Sequence, residues 1–341
     1  MTNRLPPQLD RREIRVARGP KETVDPKKTL ALWDEFEMAF AGVVAPTRVL
    51  LLAGSECRFT CTMCDLWRHT LDHATTTGDL VIQIEQALHS PFNLPKTSPS
   101  ITTILPERWI KLYNSSNFFD PFNVPTEDLV PIAKLLPEFS RIIVENHPRL
   151  LHDTIPKFRD LLNGKLEIAM GLETADPATL KWLNKGMVLD DFKIATTQLQ
   201  QWNIDARVFL LLGLPGKTFS ESLHSCLEAI ELSSSLGVRH CSVIPMRTQH
   251  GIMAKLSNDH RVPDITAHDL EEALPLMLGR YSAIVTVDLW DWDRLPGHCD
   301  ICRQVRKDRL AAMCYQQRSL PLDITTCECP SKHVTSLATK H

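Results

Sequence analysis

A chain of 341 residues with 43% apolar content can bury a large core, so one big domain with appendages, or two domains, is expected. The formal net charge of -3 excludes a global basic field for nucleic acid, and no stretch is long and apolar enough to read as a membrane span. The N-terminus lacks the apolar core of a signal peptide, which points to the cytoplasm, where ten cysteines serve more readily as metal ligands than as disulfides.

Residues 1 to about 30 are rich in Pro and Arg, with eight basic against four acidic side chains, and read as a mobile or surface-wrapping arm. Apolar periodicity predicts a helix over residues 30–41. From Arg48 onward, apolar runs at 48–53, 109–115, 141–145, 166–172, 206–213 and 240–245 read as strands. Amphipathic helices fall between them at about 79–90, 126–136, 152–162, 189–202 and 218–236. Six strand and helix units in some 200 residues imply an α/β fold: a parallel, right-handed, partly closed barrel with ligands at the C-terminal ends of its strands. The expected division is an arm and helix over 1–47, the barrel over 48–250 and a C-terminal extension over 251–341.

Directly behind the first apolar run, Cys57, Cys61 and Cys64 are spaced C-x3-C-x2-C. Three thiolates in one short loop can hold three irons of a [4Fe-4S] cluster and leave the fourth iron open to a small molecule. Structural zinc wants four protein ligands, usually as two C-x2-C pairs, and His69 and His73 are too loosely placed to complete such a set. A redox pair would need only two of the three thiols.

The segment from about 48 to 247 therefore resembles a radical S-adenosylmethionine (SAM) enzyme core. The resemblance implies a partial (β/α)6 TIM-like barrel of the radical SAM type with a Cys-containing C-terminal extension. It also implies that SAM chelates the open iron and that one electron, from a donor such as flavodoxin or ferredoxin, cleaves it to methionine and a 5′-deoxyadenosyl radical that abstracts a substrate hydrogen. The run Val144-Glu145-Asn146-His147-Pro148-Arg149 is similar to the third-strand end of the coproporphyrinogen-oxidase, Elp3 and MiaB-like branch. Gly171-Leu172-Glu173-Thr174 closes the fourth strand and Leu183-Asn184-Lys185-Gly186 follows, where the family places a basic residue near the SAM carboxylate. Glu145, Glu173 and Lys185 are thus implied as SAM contacts, with internal ion pairs as the alternative for the two glutamates. Gly213-Leu214-Pro215-Gly216 matches the family's GLPG turn and makes Gly213 a further cofactor neighbour.

Two positions depart from the pattern. Met63 stands before the third cysteine, where an aromatic residue often covers the adenine, and its thioether can pack on the ring. Tyr113-Asn114-Ser115-Ser116-Asn117-Phe118-Phe119-Asp120 replaces the common Gly-Gly-Glu turn, leaving the side-chain oxygens of Ser115 and Ser116 to accept from the SAM ammonium. Taken in order, these segments resemble the archaeosine-synthase radical SAM subunit family, RaSEA. That family works with a lysine-transferring tRNA-modifying subunit on a 7-deazaguanine base of tRNA and cleaves the attached lysine to leave a formamidine. A radical SAM enzyme acting on a peptide or small metabolite, and a non-catalytic iron-sulfur electron carrier, are the alternatives.

In the tail, Cys299, Cys302, Cys327 and Cys329 supply two thiol pairs suited to zinc or to an auxiliary iron-sulfur cluster. Cys226 and Cys241 read as core. Trp290-Asp291-Trp292-Asp293 reads as packing between barrel and tail, and the basic run 303–309 as a solvated helix face. His147, Arg149, Arg207 and Arg247 sit at strand ends or on strands facing the presumed pocket, where substrate contacts are to be sought.

Overall fold

The computed structural model describes residues 5–96, 98, 100–322, 327 and 329. Its strands are β1 (Ala31–Phe40), β2 (Val43–Leu51), β3 (Thr103–Ile104), β4 (Arg108–Tyr113), β5 (Phe139–Glu145), β6 (Lys165–Glu173), β7 (Asp205–Leu212), β8 (His240–Pro245) and β9 (Ile284–Val287). The helices are α1 (Arg11–Val16), α2 (Asp79–Leu88), α3 (Leu129–Lys134), α4 (Thr154–Leu161), α5 (Pro177–Trp182), α6 (Leu189–Gln201), α7 (Phe219–Ser235), α8 (Gly251–Asn258), α9 (Ala267–Met277) and α10 (Arg303–Gln316). One sheet runs β1-β2-β4-β5-β6-β7-β8-β9, with β3 paired beside β2. Among the described residues only β1 and β2 pair antiparallel; the other pairings are parallel. All six predicted barrel strands and the five predicted helices are present.

Alternation along the strands sorts side chains into two layers. Ile110 and Leu112, Ile142 and Val144, Ile168 and Met170, and Val208 and Leu210 join the large core between sheet and helices. Trp109, Ile143 and Ala169, with Ala39, Ala45, Tyr113 and Phe209, form a separate cluster inside the lumen. The N-terminal half of that lumen holds charge. Glu167 is fully buried and receives Arg141 at 2.7 Å, Arg207 at 2.8 Å and Arg239 at 2.8 Å. Buried Glu37 meets Arg207, Lys111 and His240 beside them. These cations hold the carboxyls of Glu37 and Glu167 well below the usual range despite burial.

The segment over 30–41 is a strand, not the predicted helix. Its sequence satisfies both periods: Glu35, Glu37 and Ala39 point into the lumen, while Asp34, Phe36 and Met38 pack outward. Full antiparallel pairing with β2 decides between them, since tertiary partners override a weak local preference. A seventh parallel strand, β9, lies in the region expected to be a separate extension, so the sheet crosses both expected boundaries. The two sheet ends, β1 and β9, are joined by the end of α10: the Gly42 amide donates to the Tyr315 carbonyl at 2.6 Å, and Gln317 exchanges hydrogen bonds with both backbone groups of Val285.

Replacing Glu167 with Ala should cost about 3–5 kcal/mol of stability in urea unfolding, because three guanidinium groups lose their buried partner. A loss below about 1 kcal/mol would show that the lumen network does not hold the barrel together.

Candidate active site at the strand ends

The C-terminal end of β2 leads through 52–55 into the cysteine loop, which is tied down on every side. Ser55 donates to the Phe122 carbonyl at 2.6 Å, and the Asn123 amide group reaches the Ser55 and Glu56 carbonyls. The Thr62 amide donates to the Leu183 carbonyl at 2.9 Å, and the Asn184 side chain donates to the Thr60 carbonyl at 2.6 Å. Phe59 stacks on His147 with ring centroids 3.7 Å apart, and Gly186 leaves the room this needs, since a Cβ there would meet the Phe59 ring at 2.8 Å. Cys61 is buried and Cys57 and Cys64 are half-buried, all as free thiols. Burial pushes the Cys61 thiol up to about 11 and Cys64 to about 12, while Lys185 opposes that shift at Cys57 and Cys61.

Asn117, a residue the sequence reading did not single out, binds this loop to two strand ends. Its Nδ2 donates to Cys57 Sγ at 3.1 Å and its Oδ1 accepts the His147 amide at 2.9 Å. The only signal was its place in the polar run after β4. His147 is buried, and burial together with nearby Lys185 lowers its pKa to about 3, so the imidazole is neutral. Its Nδ1 accepts the Arg149 amide, which leaves the proton on Nε2 to donate to the Lys185 carbonyl at 2.9 Å. His147 therefore positions the loop rather than facing a pocket.

Beside the loop, β4 and β5 end in polar groups without partners. Glu145 Oε2, both amide atoms of Asn114 and the Ser116 hydroxyl are shielded from water and unbonded among the described residues. Such orphaned groups are rare in a finished interior and common where a ligand belongs. Burial raises the Glu145 carboxyl to about 7, against the opposing pull of the Asn114 and Ser115 backbone amides. Ser115 and Glu173 adopt left-handed backbone at strand ends, at φ 54 and 69 degrees, and Asn184 does so just after α5, at φ 51 degrees.

Glu173 and Lys185 are both buried and pair with each other at 2.6 Å. Gly171 is what admits them, because a Cβ there would collide with both charged tips. The internal ion pair is thus present for Glu173, and Glu145 forms none among the described residues. Lys185 is pushed up in pKa by Glu173 and by Cys61 and Cys57, against desolvation, so it is a fixed positive charge beside the cysteine loop. The amide of Gly213 is taken by Ser222 Oγ at 2.8 Å and its φ is 97 degrees, so its glycine serves the turn itself. Met63 packs at the edge of an apolar cluster with Ile14, Trp182 and Leu183.

The N-terminal arm wraps this rim. Ile14 of α1 is buried, the Trp182 indole donates to the Pro7 carbonyl, and Glu56 of the cysteine loop pairs with Arg18 and Lys21. Between arm and loop lies a cavity of about 800 Å³ lined by Arg15, Arg18, Lys21, Arg58, Cys57, Trp67 and Phe122, among others. Arg11, Arg12 and Arg15 are exposed and make no ion pair among the described residues. Other cations singled out from sequence are engaged elsewhere: Arg207 in the lumen, Arg247 with Asp288 and Asp291, Arg149 with the Gly186 carbonyl. Arg58 meets Asp120 at 2.5 Å. In the tail, Trp292 is fully buried, but Trp290 is largely exposed against Trp33, and Arg306 is buried on Glu271 instead of lying on a solvated face. Cys226 and Cys241 are core residues as expected.

No family model matches the chain. It is 23% identical over 310 residues, 84% of each chain, to the archaeosine synthase subunit beta of Methanosarcina acetivorans. It is also 22% identical over 255 residues, 71% of this chain and 68% of the relative, to an uncharacterized protein of Methanocaldococcus jannaschii. Among solved structures, methylornithine synthase PylB superposes with a TM-score of 0.52 at 14% identity, covering 85% of this chain and 76% of that one. No helix among the described residues is long and apolar enough to cross a membrane. The nearly closed barrel is thus the fold that the chain shares with methylornithine synthase, and the three-cysteine loop stands behind β2 at the C-terminal end of its strands.

Proposed function

We propose that Cys57, Cys61 and Cys64 hold a [4Fe-4S] cluster, that SAM lies against the ends of β4, β5 and β6, and that the enzyme modifies a 7-deazaguanine base in tRNA. The bound pair would supply one-electron cleavage of SAM and a 5′-deoxyadenosyl radical able to take a hydrogen atom from substrate. The chain's own groups receive the cofactor. Glu145, Asn114 and Ser116 offer the unbonded acceptors and donors that suit the amino acid and ribose parts of SAM. Lys185 sets a positive charge toward a carboxylate, and its pairing with Glu173 fixes where that charge sits. Asn117 donates to the Cys57 sulfur and so favours its ionised, iron-binding form.

The substrate reading rests on the likeness to archaeosine synthase subunit beta, which extends over 84% of both chains. The cavity beside Cys57 suits it too, since arginines and a lysine with two aromatic rings match phosphates and a stacked base. The reaction then needs a partner subunit that first attaches lysine to the base, and an electron donor such as flavodoxin or ferredoxin. On unmodified tRNA the protein alone should do nothing.

Anaerobic reconstitution should give a [4Fe-4S] cluster, and the reduced protein should form 5′-deoxyadenosine from SAM; Cys61→Ala should abolish both, and an intact site-differentiated cluster in that variant would refute the ligand assignment. Because the Glu145 carboxyl titrates near 7 when free, SAM should bind more tightly as pH rises from about 6 to about 8. Glu145→Gln should weaken SAM by about 1.5–3 kcal/mol at the upper pH and flatten that dependence, whereas an unchanged profile would remove Glu145 from the site. For the substrate, mass spectrometry of tRNA nucleosides from cells lacking the gene should show a lysine-bearing 7-deazaguanosine. An unaltered profile would turn the search to peptides or small metabolites.

A further inference from the structure

Cys299 and Cys302 stand at the start of α10, and Cys327 and Cys329 lie beyond its end, with all four sulfurs within 4.8 Å of one another. Cys302 is buried and the other three are half-buried. Cys299 Sγ lies 3.7 Å from Cys302 Sγ and 3.5 Å from Cys327 Sγ. Around one tetrahedral ion with bonds of ~2.3 Å, thiolates are separated by ~3.8 Å. A four-iron cubane needs them on the order of 6 Å apart, because each thiolate binds a different iron. The observed spacing fits a single ion and is too tight for a cubane.

The surroundings suit such a centre. Backbone amides donate to two of the sulfurs, Cys299 to Cys302 at 3.3 Å and Cys329 to Cys327 at 3.2 Å, which is the orienting support that metal thiolates receive. His298, next in line as a ligand, is turned aside with its Nε2 bonded to the Trp292 carbonyl at 3.0 Å and its ring beside the Trp292 indole. The four thiols leave no open position for a substrate.

We infer that Cys299, Cys302, Cys327 and Cys329 bind one structural zinc ion that clips the residues after α10 to the barrel. The clip matters because α10 is the element that joins β9 to β1 through Tyr315 and Gln317. On binding, each thiol gives its proton to solvent, and the ion's binding energy adds to that of the fold.

The test uses the full chain carrying Cys57→Ala, Cys61→Ala and Cys64→Ala, which removes the barrel cluster and so separates this inference from the proposed activity. Elemental analysis should find about one zinc per chain, and adding Cys327→Ser with Cys329→Ser should abolish it and lower Tm. No bound metal, or iron in place of zinc, overturns the inference. Should the triple variant fail to fold, the otherwise unaltered protein with its barrel cluster reconstituted is compared with and without Cys327→Ser and Cys329→Ser. In that pair, the visible bands of four-thiolate cobalt should develop on cobalt exchange only where both tail cysteines remain, and equal spectra sink the inference.

Discussion

A single carboxylate sealed in the lumen, Glu167, governs what the rest of the barrel can do. It draws Arg141 from β5, Arg207 from β7 and Arg239 from just before β8 to one point, and Arg207 carries the connection on to Glu37 of β1, which also meets Lys111 of β4. Ion pairs of this kind are poor sources of net stability, because desolvation offsets most of the attraction. Their geometry is what counts here. Each pair is directional, so it fixes one strand against another, and β1 is tied across the lumen although it does not pair with β9 at the sheet's other end. With the lower half filled by paired charge packed against Trp109, and Ile143, Ala169 and Phe209 further along their strands, the upper ends of the strands remain for a ligand.

Above that plug the electrostatics change character. Below, every buried charge has its opposite; at the strand ends Glu145 has an oxygen with no partner, and Asn114 and Ser116 are left unbonded beside it. The contrast falls within the same strands, since Lys111 and Asn114 are three residues apart, as are Arg141 and Glu145 to within one. Arg207 Nη2 and His240 Nδ1 in the plug also lack a well-formed hydrogen bond, but both face the Glu37 carboxylate. The open atoms at the ends of β4 and β5 have no such partner among the described residues, and they stand where the proposed cofactor would lie. Lys185 joins the two regimes: Glu173 neutralises it now, and thiolates formed at Cys57 and Cys61 would add to the negative charge around it.

Much of this was legible in the sequence. Parallel strands buried on both faces leave long apolar runs, and six of them with their intervening helices could be placed to within a few residues. The cysteine spacing marked the loop. What escaped was decided by pairing. Residues 30–41 carry both a two-residue and a helical period, and only contact with β2 distinguishes them. The four residues of β9 are too short to stand out from the apolar segments around them. Arg207 looked like a pocket residue because alternation does point it into the lumen; its depth there, beside Glu37 and Glu167, cannot be read from one strand alone. Asn117 was hidden for the opposite reason, since an Asn in a polar loop has no periodicity to betray it.

The weak net charge also needs revising as a guide to partners. A total of -3 counts Lys111, Arg141 and Arg207 equally with surface cations, yet these three are buried against carboxylates and project no field outward. Their partners Glu37 and Glu167 are likewise silent. What a polyanion meets is the distribution that remains, and at the rim of the proposed site that distribution is basic: Arg11, Arg12 and Arg15 are exposed without ion pairs among the described residues, and Arg15 also lines the cavity beside Cys57. Arg18 and Lys21 are partly offset by Glu56 and Asp72, and Arg58 by Asp120, so the rim's cations without ion pairs lie on one short helix, where the exposed Asp10 and Glu13 offset part of their charge. Three phosphate contacts from such a helix would steer and orient a nucleic acid without holding it tightly, because each contributes only its share of counterion release. If the enzyme acts on tRNA as proposed, the tRNA would need most of its grip from a second protein, a part that the proposed lysine-transferring subunit would play.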